Sequence, residues 1–139
     1  MRISSTQAAE LLSEHGFRKT QPRIELLVAL SYEQFPLSIP AIAVRVPDID
    51  PVTLYRSLEA LAHAGILERS DFQHGHAHYE LVHGRLHHHH LVCEGCGKVS
   101  DIPAHTHERL NQDALAHAKG FKSITHHSLE FFGHCASCA

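Results

Sequence analysis

The chain has 139 residues, 43% of them hydrophobic, which is enough for one ordinary domain or for two small ones that each bury a modest core. No apolar run approaches the roughly 18 residues needed to cross a membrane, and the first residues lack the apolar centre of a signal peptide, so we predict a cytoplasmic protein. The formal net charge of −3 argues against nucleic-acid binding, although bound divalent metals would add positive charge.

The uneven distribution of cysteine and histidine predicts two domains. Residues 1–82 contain no cysteine, whereas 11 of the 16 histidines lie in residues 83–139. We therefore predict a domain boundary near residue 83, between domains 1–82 and 83–139, with the stretch LVHGRLH (residues 81–87) as the linker. The predicted fold class is α+β.

The first domain is predicted to contain four helices followed by a two-stranded hairpin. Each helix begins near a Ser, Thr or Asp that can cap it and shows an apolar face. In the fourth helix, Asp50 is the cap, Pro51 takes the first position and Gly65 ends the helix. The predicted helices are 4–16, 20–30, 38–46 and 51–64, and the predicted strands are 66–69 and 76–82.

This order of elements is typical of a winged helix, in which the second helix of a helix-turn-helix pair reads the major groove of DNA. Here that helix is the fourth. Val52 is predicted to lie on its apolar face, and its first turns are predicted to expose side chains that can contact bases or phosphates: Thr53, Tyr55, Arg56 and Ser57. The alternative on these residues alone is a small helical core with solvated polar faces.

The second domain is predicted to be a small α+β unit with a Cys-x-x-Cys pair at each end. The pattern predicts strands at 89–95 and 98–102, a helix at 104–119, and a closing hairpin of strands 121–125 and 128–134.

The four cysteines predict a metal site. The spacing lets both thiolates of each pair reach one ion, and two such pairs complete a tetrahedral sulfur site that suits zinc. Such a site would join the two ends of the unit and supply part of its folding energy. Two redox pairs or a disulfide are the alternatives. The predicted ligands are Cys93, Cys96, Cys135 and Cys138.

Four consecutive histidines, residues 87–90, precede the first cysteine pair. Because neighbouring side chains of a strand point to opposite faces, this run divides into His87 with His89 and His88 with His90, so one strand can serve two sites. A solvated histidine run or an expression tag is the alternative, as solvation is for the lone His15, His63 and His117. Candidate partners elsewhere are Glu108, His105, His107, His126, His127, His76, His78, Glu80 and His83.

Three stretches, DPVTLYRSLEALAHAGIL, HHHHLVCEGCGKV and HHSLEFFGHCASC, resemble the signatures of ferric uptake regulator proteins. These are bacterial homodimeric repressors that bind DNA when loaded with a divalent metal. The similarity runs from about residue 10 to the C-terminus. It implies an N-terminal winged helix and a C-terminal α/β dimerisation domain, in the order predicted above.

The resemblance also implies roles for individual residues. The four cysteines match a structural zinc site. A dimerisation-domain metal site matches His87, His89, Glu108 and His127, and a sensor site joining the two domains matches Glu80, His88 and His90. His83 stands near a position where zinc-responsive relatives often use cysteine and completes the expected sensor set. The implied DNA contacts are Tyr55 and Arg56, with Thr53 beside them, and the basic residues Arg18 and Lys19.

The sequence departs from the family pattern between the second and third helices. Many relatives place a sensor histidine there, whereas this chain has QFPLS, residues 34–38. The sensor site must then lose a ligand or recruit His83, His76 or His78. Since imidazole-rich sites favour zinc, copper or nickel over manganese, zinc is slightly preferred to iron as the expected signal.

Three other functions are alternatives to a metal-dependent repressor. A zinc enzyme is disfavoured because HERLN lacks the second histidine of the His-Glu-x-x-His pattern. A histidine-rich metal buffer would leave the winged helix unexplained. A peroxide sensor of the same family, acting by iron-driven oxidation of ligand histidines, is the third alternative.

Overall fold

The computed structural model of the chain describes residues 2–72, 76–84, 88–103, 107–125, 127 and 129–139. The chain divides into two compact units, Met1–Arg85 and Leu86–Ala139. The division falls within the stretch predicted as the linker, and the boundary near residue 83 stays a prediction. In the described part of the chain, no helix is long and apolar enough to span a membrane.

The first unit is a winged helix. Its described residues form four helices and a three-stranded antiparallel sheet, in which β3 (His78–Leu81) is central and pairs with β1 (Leu37–Ser38) on one side and β2 (Leu67–Ser70) on the other. The short strand β1 was not predicted; it pairs with β3 at the sheet edge. The elements are α1 (Ser5–Glu14), α2 (Gln21–Ser31), β1 (Leu37–Ser38), α3 (Ile39–Arg45), α4 (Pro51–His63), β2 (Leu67–Ser70) and β3 (His78–Leu81).

The core of the first unit is formed by apolar side chains from all four helices and the hairpin. Each fully buried Leu or Ile contributes roughly 1.5–3 kcal/mol relative to an exposed one. The core includes Ala8, Leu12, Leu27, Leu30, Ile42, Leu54, Leu58, Leu61, Ile66, Tyr79 and Leu81.

Helix α4 begins and ends as its sequence predicts. The Asp50 carboxylate accepts the backbone N–H of Thr53 at 3.0 Å, and Gly65 adopts a φ of 79° after the last turn. Two predictions within the helix are wrong. Val52 is 58% exposed rather than part of the core face, and Ser57 is buried rather than available to DNA. Ser57 lies at the border of the apolar stripe, three residues after Leu54 and one before Leu58, whereas Val52, two residues before Leu54, falls on the opposite face because two residues turn a helix by about 200°.

The second unit is a three-stranded sheet with one helix. Strand β4 (His88–Cys93) is central, with β5 (Val99–Pro103) antiparallel on one side and β6 (Glu130–Gly133) parallel on the other. Helix α5 (His107–His117) lies in the connection between β5 and β6.

The predicted closing hairpin is wrong. Residues 121–125 form no strand, and the first three of them are exposed. Strand β6 instead pairs with β4, a parallel arrangement that needs a long connection and not a tight turn. This register places Cys93 opposite Gly133, so the second cysteine pair follows directly beyond the end of β6 next to the first pair.

Candidate metal centres and DNA-facing residues

The four cysteines form one cluster in the second unit. Cys93 ends β4, Cys96 lies in the turn that follows, and the other two lie in the turn after β6. All four sulfurs lie within 4.8 Å of one another, and those of Cys96 and Cys135 are 3.7 Å apart. A tetrahedral zinc site with bonds of about 2.3 Å separates its sulfurs by about 3.8 Å. The distances therefore fit a zinc-sized ion.

Hydrogen bonding in the cluster separates the pKa values of its thiols. The backbone N–H of Cys135 donates to the Cys93 sulfur at 3.3 Å and, with other backbone donors, lowers the pKa of Cys93 to about 6. The backbone N–H of Ser137 lowers the pKa of Cys135. In contrast, hydrogen bonding to Cys135, Cys93 and Cys96 raises the pKa of Cys138 to about 12. Four adjacent sulfurs cannot all ionise without a cation, so this donor set fits a divalent metal.

The two faces of β4 lead to different neighbours. The rings of His88 and His90 are 5.0 Å apart in an edge-to-face arrangement, and a ligand nitrogen of each lies within 4.8 Å of the other. Across the antiparallel ladder, Asp101 of β5 faces His90, with a carboxylate oxygen 3.9 Å from its Nε2. Sequence reasoning did not select Asp101. The two predicted strands, 89–95 and 98–102, are joined by a short turn, and an antiparallel pairing between them was the signal that could have found it.

The intervening residue of β4, His89, contacts another predicted ligand. Its ring is 5.4 Å from that of His127, and His89 is only 8% exposed. The Nδ1 of His127 donates to the Asn111 side-chain oxygen of α5 at 3.0 Å. A hydrogen bond of this kind fixes the orientation of an imidazole and leaves Nε2 as the metal-binding atom.

Several predicted ligands lie outside this description. His87, His105 and His126 and the side chains of His107 and Glu108 are outside the described residues. Glu80, buried on β3, and His83, exposed in the following turn, belong to the first unit, whereas His88 and His90 belong to the second. The four-residue sensor set and the four-residue dimerisation-domain set both stay predictions.

Glu33, the residue just before the stretch that lacks the family histidine, is tied to α3. Arg45 donates through Nε to the Glu33 carboxylate and through Nη1 to the Ala41 carbonyl at 2.9 Å. This ion pair ties the start of the connection that follows α2 to α3.

The basic residues predicted to contact DNA are exposed in the segment between α1 and α2. Arg18 and Lys19 both point to solvent. Arg23, in the first turn of α2, donates to the Arg18 carbonyl at 3.2 Å and lies over the Phe17 ring at 5.3 Å. These contacts fix the backbone that presents the two basic side chains.

The three predicted DNA contacts on α4 differ in how exposed their side chains are. Tyr55 is 55% exposed and Arg56 is exposed. Thr53 is half-buried, and its hydroxyl donates to the Asp50 carboxylate at 2.5 Å. Two of the three side chains are therefore fully available, while Thr53 also completes the helix cap.

Comparison with known proteins decides the family. Residues 14–132 match the model of the ferric uptake regulator family. The chain belongs to this family. This family member is a metal-responsive transcription regulator and not an enzyme, and its mixed fold with an N-terminal winged helix is confirmed.

Three similar proteins include regulators of iron uptake and of zinc uptake. A ferric uptake regulation protein of Legionella pneumophila is 34% identical over 137 residues, covering 95% of this chain and 98% of its own. The ferric uptake regulator of Pseudomonas aeruginosa, solved with manganese, has a TM-score of 0.76 at 25% identity and covers 93% and 98% of the two chains. A zinc uptake regulator complexed with zinc and DNA has a TM-score of 0.66 at 25% identity, covering 96% and 91%.

Proposed function

We propose that this regulator is a homodimeric, DNA-binding repressor of metal-uptake or metal-homeostasis genes, with zinc preferred to iron(II) as its signal. The observation that carries the proposal is the two-sided histidine strand, which gives one strand access to two ligand clusters. His88 and His90 pair on one face, and His89 meets His127 on the other. The neighbouring four-cysteine cluster supplies a third, separate donor set.

The four cysteines are proposed to hold a structural zinc ion. Their sulfurs come from the two ends of the second unit, so a shared ion links β4 to the turn after β6. The site is closed by four protein ligands and leaves no position for a substrate. The proposed ion therefore stabilises the second unit and takes no part in a catalysed reaction.

His87, His89, Glu108 and His127 are proposed as the dimerisation-domain site. Asn111 supports this assignment, because it fixes the His127 ring by a hydrogen bond from Nδ1. The second unit is proposed to form the homodimer, whose twofold symmetry would match two half-sites in the operator.

The proposed sensor site combines His88 and His90 with Glu80 and His83, and Asp101 is added here as a further candidate. Glu80 and His83 belong to the first unit and precede β4 by only a few residues. The connection is therefore short enough for us to propose that all five side chains bind one ion. A bound ion would supply the positive charge and coordination bonds that tie one unit to the other. Such a switch requires higher metal affinity in the DNA-binding conformation than in the alternatives.

Helix α4 is proposed as the recognition helix, with Thr53, Tyr55 and Arg56 facing the DNA and Arg18 and Lys19 near the backbone. Arg can bind phosphate or guanine, and Tyr can bind phosphate or contact a thymine methyl group. The solved zinc uptake regulator bound to zinc and DNA is consistent with this use of the fold.

The preference for zinc is proposed from the donor atoms. Imidazole nitrogens are three of the five proposed sensor ligands, and imidazole-rich sites favour zinc, copper or nickel over manganese. The carboxylates of Glu80 and Asp101 also suit iron(II), so the choice between these two ions is the part of the proposal that a titration must decide.

The test is DNA-binding anisotropy with the chain's own promoter region at fixed salt. Protein that retains only cysteine-bound zinc is titrated separately with zinc, iron(II), manganese(II) and nickel(II). Zinc is expected to raise affinity steeply, His88→Ala to abolish the response, and the exposed α5 variant His117→Ala to preserve it. A response to iron(II) alone would overturn the metal assignment, and no response to any ion would overturn the proposed switch.

A further inference from the structure

A groove in the first unit lies beside the exposed part of α4. Its volume is about 720 Å³, and Tyr55 of α4 forms part of its wall. Ser38 and Pro40, at the start of α3, line one side, while Arg69 of β2 and His76, next to β3, line the other. A proposed base-reading side chain thus shares a concave surface with three potential phosphate ligands.

Neighbouring residues orient the polar groups that line this groove. The Arg69 side chain is 47% exposed, and its guanidinium lies 3.4 Å from the Asp71 carboxylate and 3.9 Å from that of Glu59. Exposed ion pairs of this kind are weak, so they orient the guanidinium while leaving donors for another anion. His76 is exposed, and its carbonyl accepts a hydrogen bond from His78 Nδ1 at 3.1 Å, which fixes the backbone here.

A recognition helix that lies in the major groove has a phosphate strand bordering that groove on each side, so the elements beside the helix lie near the DNA backbone. The surface between α4 and the β2–β3 hairpin is where this strand would run. We propose that the groove holds one sugar-phosphate strand of DNA, with Arg69 and His76 as phosphate ligands and the Ser38 hydroxyl as a further donor. The inference rests on the proposed role of α4 as the recognition helix.

The proposal assigns DNA binding to His76, which the sequence made a candidate ligand of the metal sensor. In the described residues, neither His76 nor His78 belongs to a group of three potential metal ligands. The two carboxylates beside Arg69 oppose phosphate binding, so the phosphate would replace Asp71 as the nearest partner of the guanidinium. The arrangement favours DNA backbone over a metal ion in this groove.

Phosphate contacts and base contacts are distinguishable by salt and sequence dependence. With the metal-loaded full chain, Arg69→Gln is expected to weaken binding to operator and random duplex alike, roughly tenfold or more, and to reduce the salt slope by about 0.9. His76→Ala is expected to weaken both duplexes alike. Arg69→Lys retains the positive charge and should therefore keep the salt slope. Comparing it with Arg69→Gln separates the loss of the charge from the loss of the contact with Glu59.

Arg109→Gln, which removes an exposed cation of α5 in the second unit, is the matched control and should leave the salt slope unchanged. An unchanged slope in Arg69→Gln, or a loss confined to operator DNA, would overturn the phosphate assignment. If no ion promotes operator binding, the proposed function fails, but random duplex at low salt still tests the groove. If Arg69→Gln has no effect on binding to random duplex at low salt, the phosphate assignment is overturned independently of the proposed function.

Discussion

At the scale of single residues, Gly95 shows how closely the cysteine turns approach. A Cβ atom added at Gly95 would lie 2.9 Å from both the Cβ and the Sγ of Cys138. Something in the turn would have to shift, and the nearest atoms belong to a proposed ligand. The glycine is therefore required by the proximity of a second chain segment and not by an unusual backbone angle.

We predict that Gly95→Ala weakens zinc binding by about 5- to 150-fold, the equivalent of the roughly 1–3 kcal/mol that overpacking costs. Competition with a chromophoric chelator measures this affinity. Glu94→Ala alters the exposed neighbouring residue and is the matched control. Equal zinc affinity in the two variants would show that the turn absorbs the added methyl group and that the close approach is not needed.

At the residue level, sequence spacing predicts which cysteines lie together, while the metal that they hold stays a proposal. The Cys-x-x-Cys spacing is enough to place two thiolates together, and all four sulfurs do cluster. Asp101 and Asn111 escaped notice because their relevance depends on strand register and on the packing of α5. A one-residue change of register would turn Asp101 to the other face, so Asp101 is identifiable only from the strand pairing and Asn111 only from the packing of α5.

At the scale of elements, the cap of α4 couples helix stability to pH. The Thr53 hydroxyl and backbone N–H donate to Asp50 and lower the pKa of its carboxyl below the ordinary value of 3.8. A lowered pKa means that the charged form is stabilised in the folded state. This contribution is complete above the unfolded-state pKa and is lost as pH falls through the folded-state pKa.

We therefore predict that acidification from about pH 6 to about pH 3 loosens α4 in the wild type and has less effect in Asp50→Ala, which is already less stable at neutral pH. Amide signals of α4 in the full chain, followed by NMR across urea titrations, report the change locally. Asp48→Ala, two residues earlier and also exposed, is the control. If Asp50→Ala and Asp48→Ala show the same pH response, the cap does not contribute it.

Elements with local signals were predictable, and elements made by long-range pairing were not. Three of the four described helices of the first unit are capped by the side chain before them, whereas Thr20 makes no capping hydrogen bond to α2, and each helix forms close to its predicted bounds. Residues 121–125 have strand-like composition but find no strand partner, while the two residues of β1 become a strand through pairing with β3. Strand formation depends on a neighbour that local sequence does not specify.

At the scale of the whole molecule, the two units have different sources of stability. The first has a contiguous core of buried aliphatic side chains and one buried tyrosine. In the second, the described residues that are buried and hydrophobic are Val92 and Cys93, both at the end of β4. A unit with so small a core needs another source of folding energy, and a metal held by four cysteines is the one that its side chains offer.

We predict that a strong chelator under reducing conditions abolishes hydrogen-exchange protection in β4 and β6 while the amides of α2 and α4 keep theirs. The reason is that the cysteine cluster joins the ends of β4 and β6, whereas the first unit contains no cysteine. Added zinc should restore protection, and Ser137→Ala, next to a ligand, should behave like the wild type. Retained protection of β4 after complete metal removal would show that the second unit folds without its ion. Equal loss in α4 would show instead that the two units unfold together.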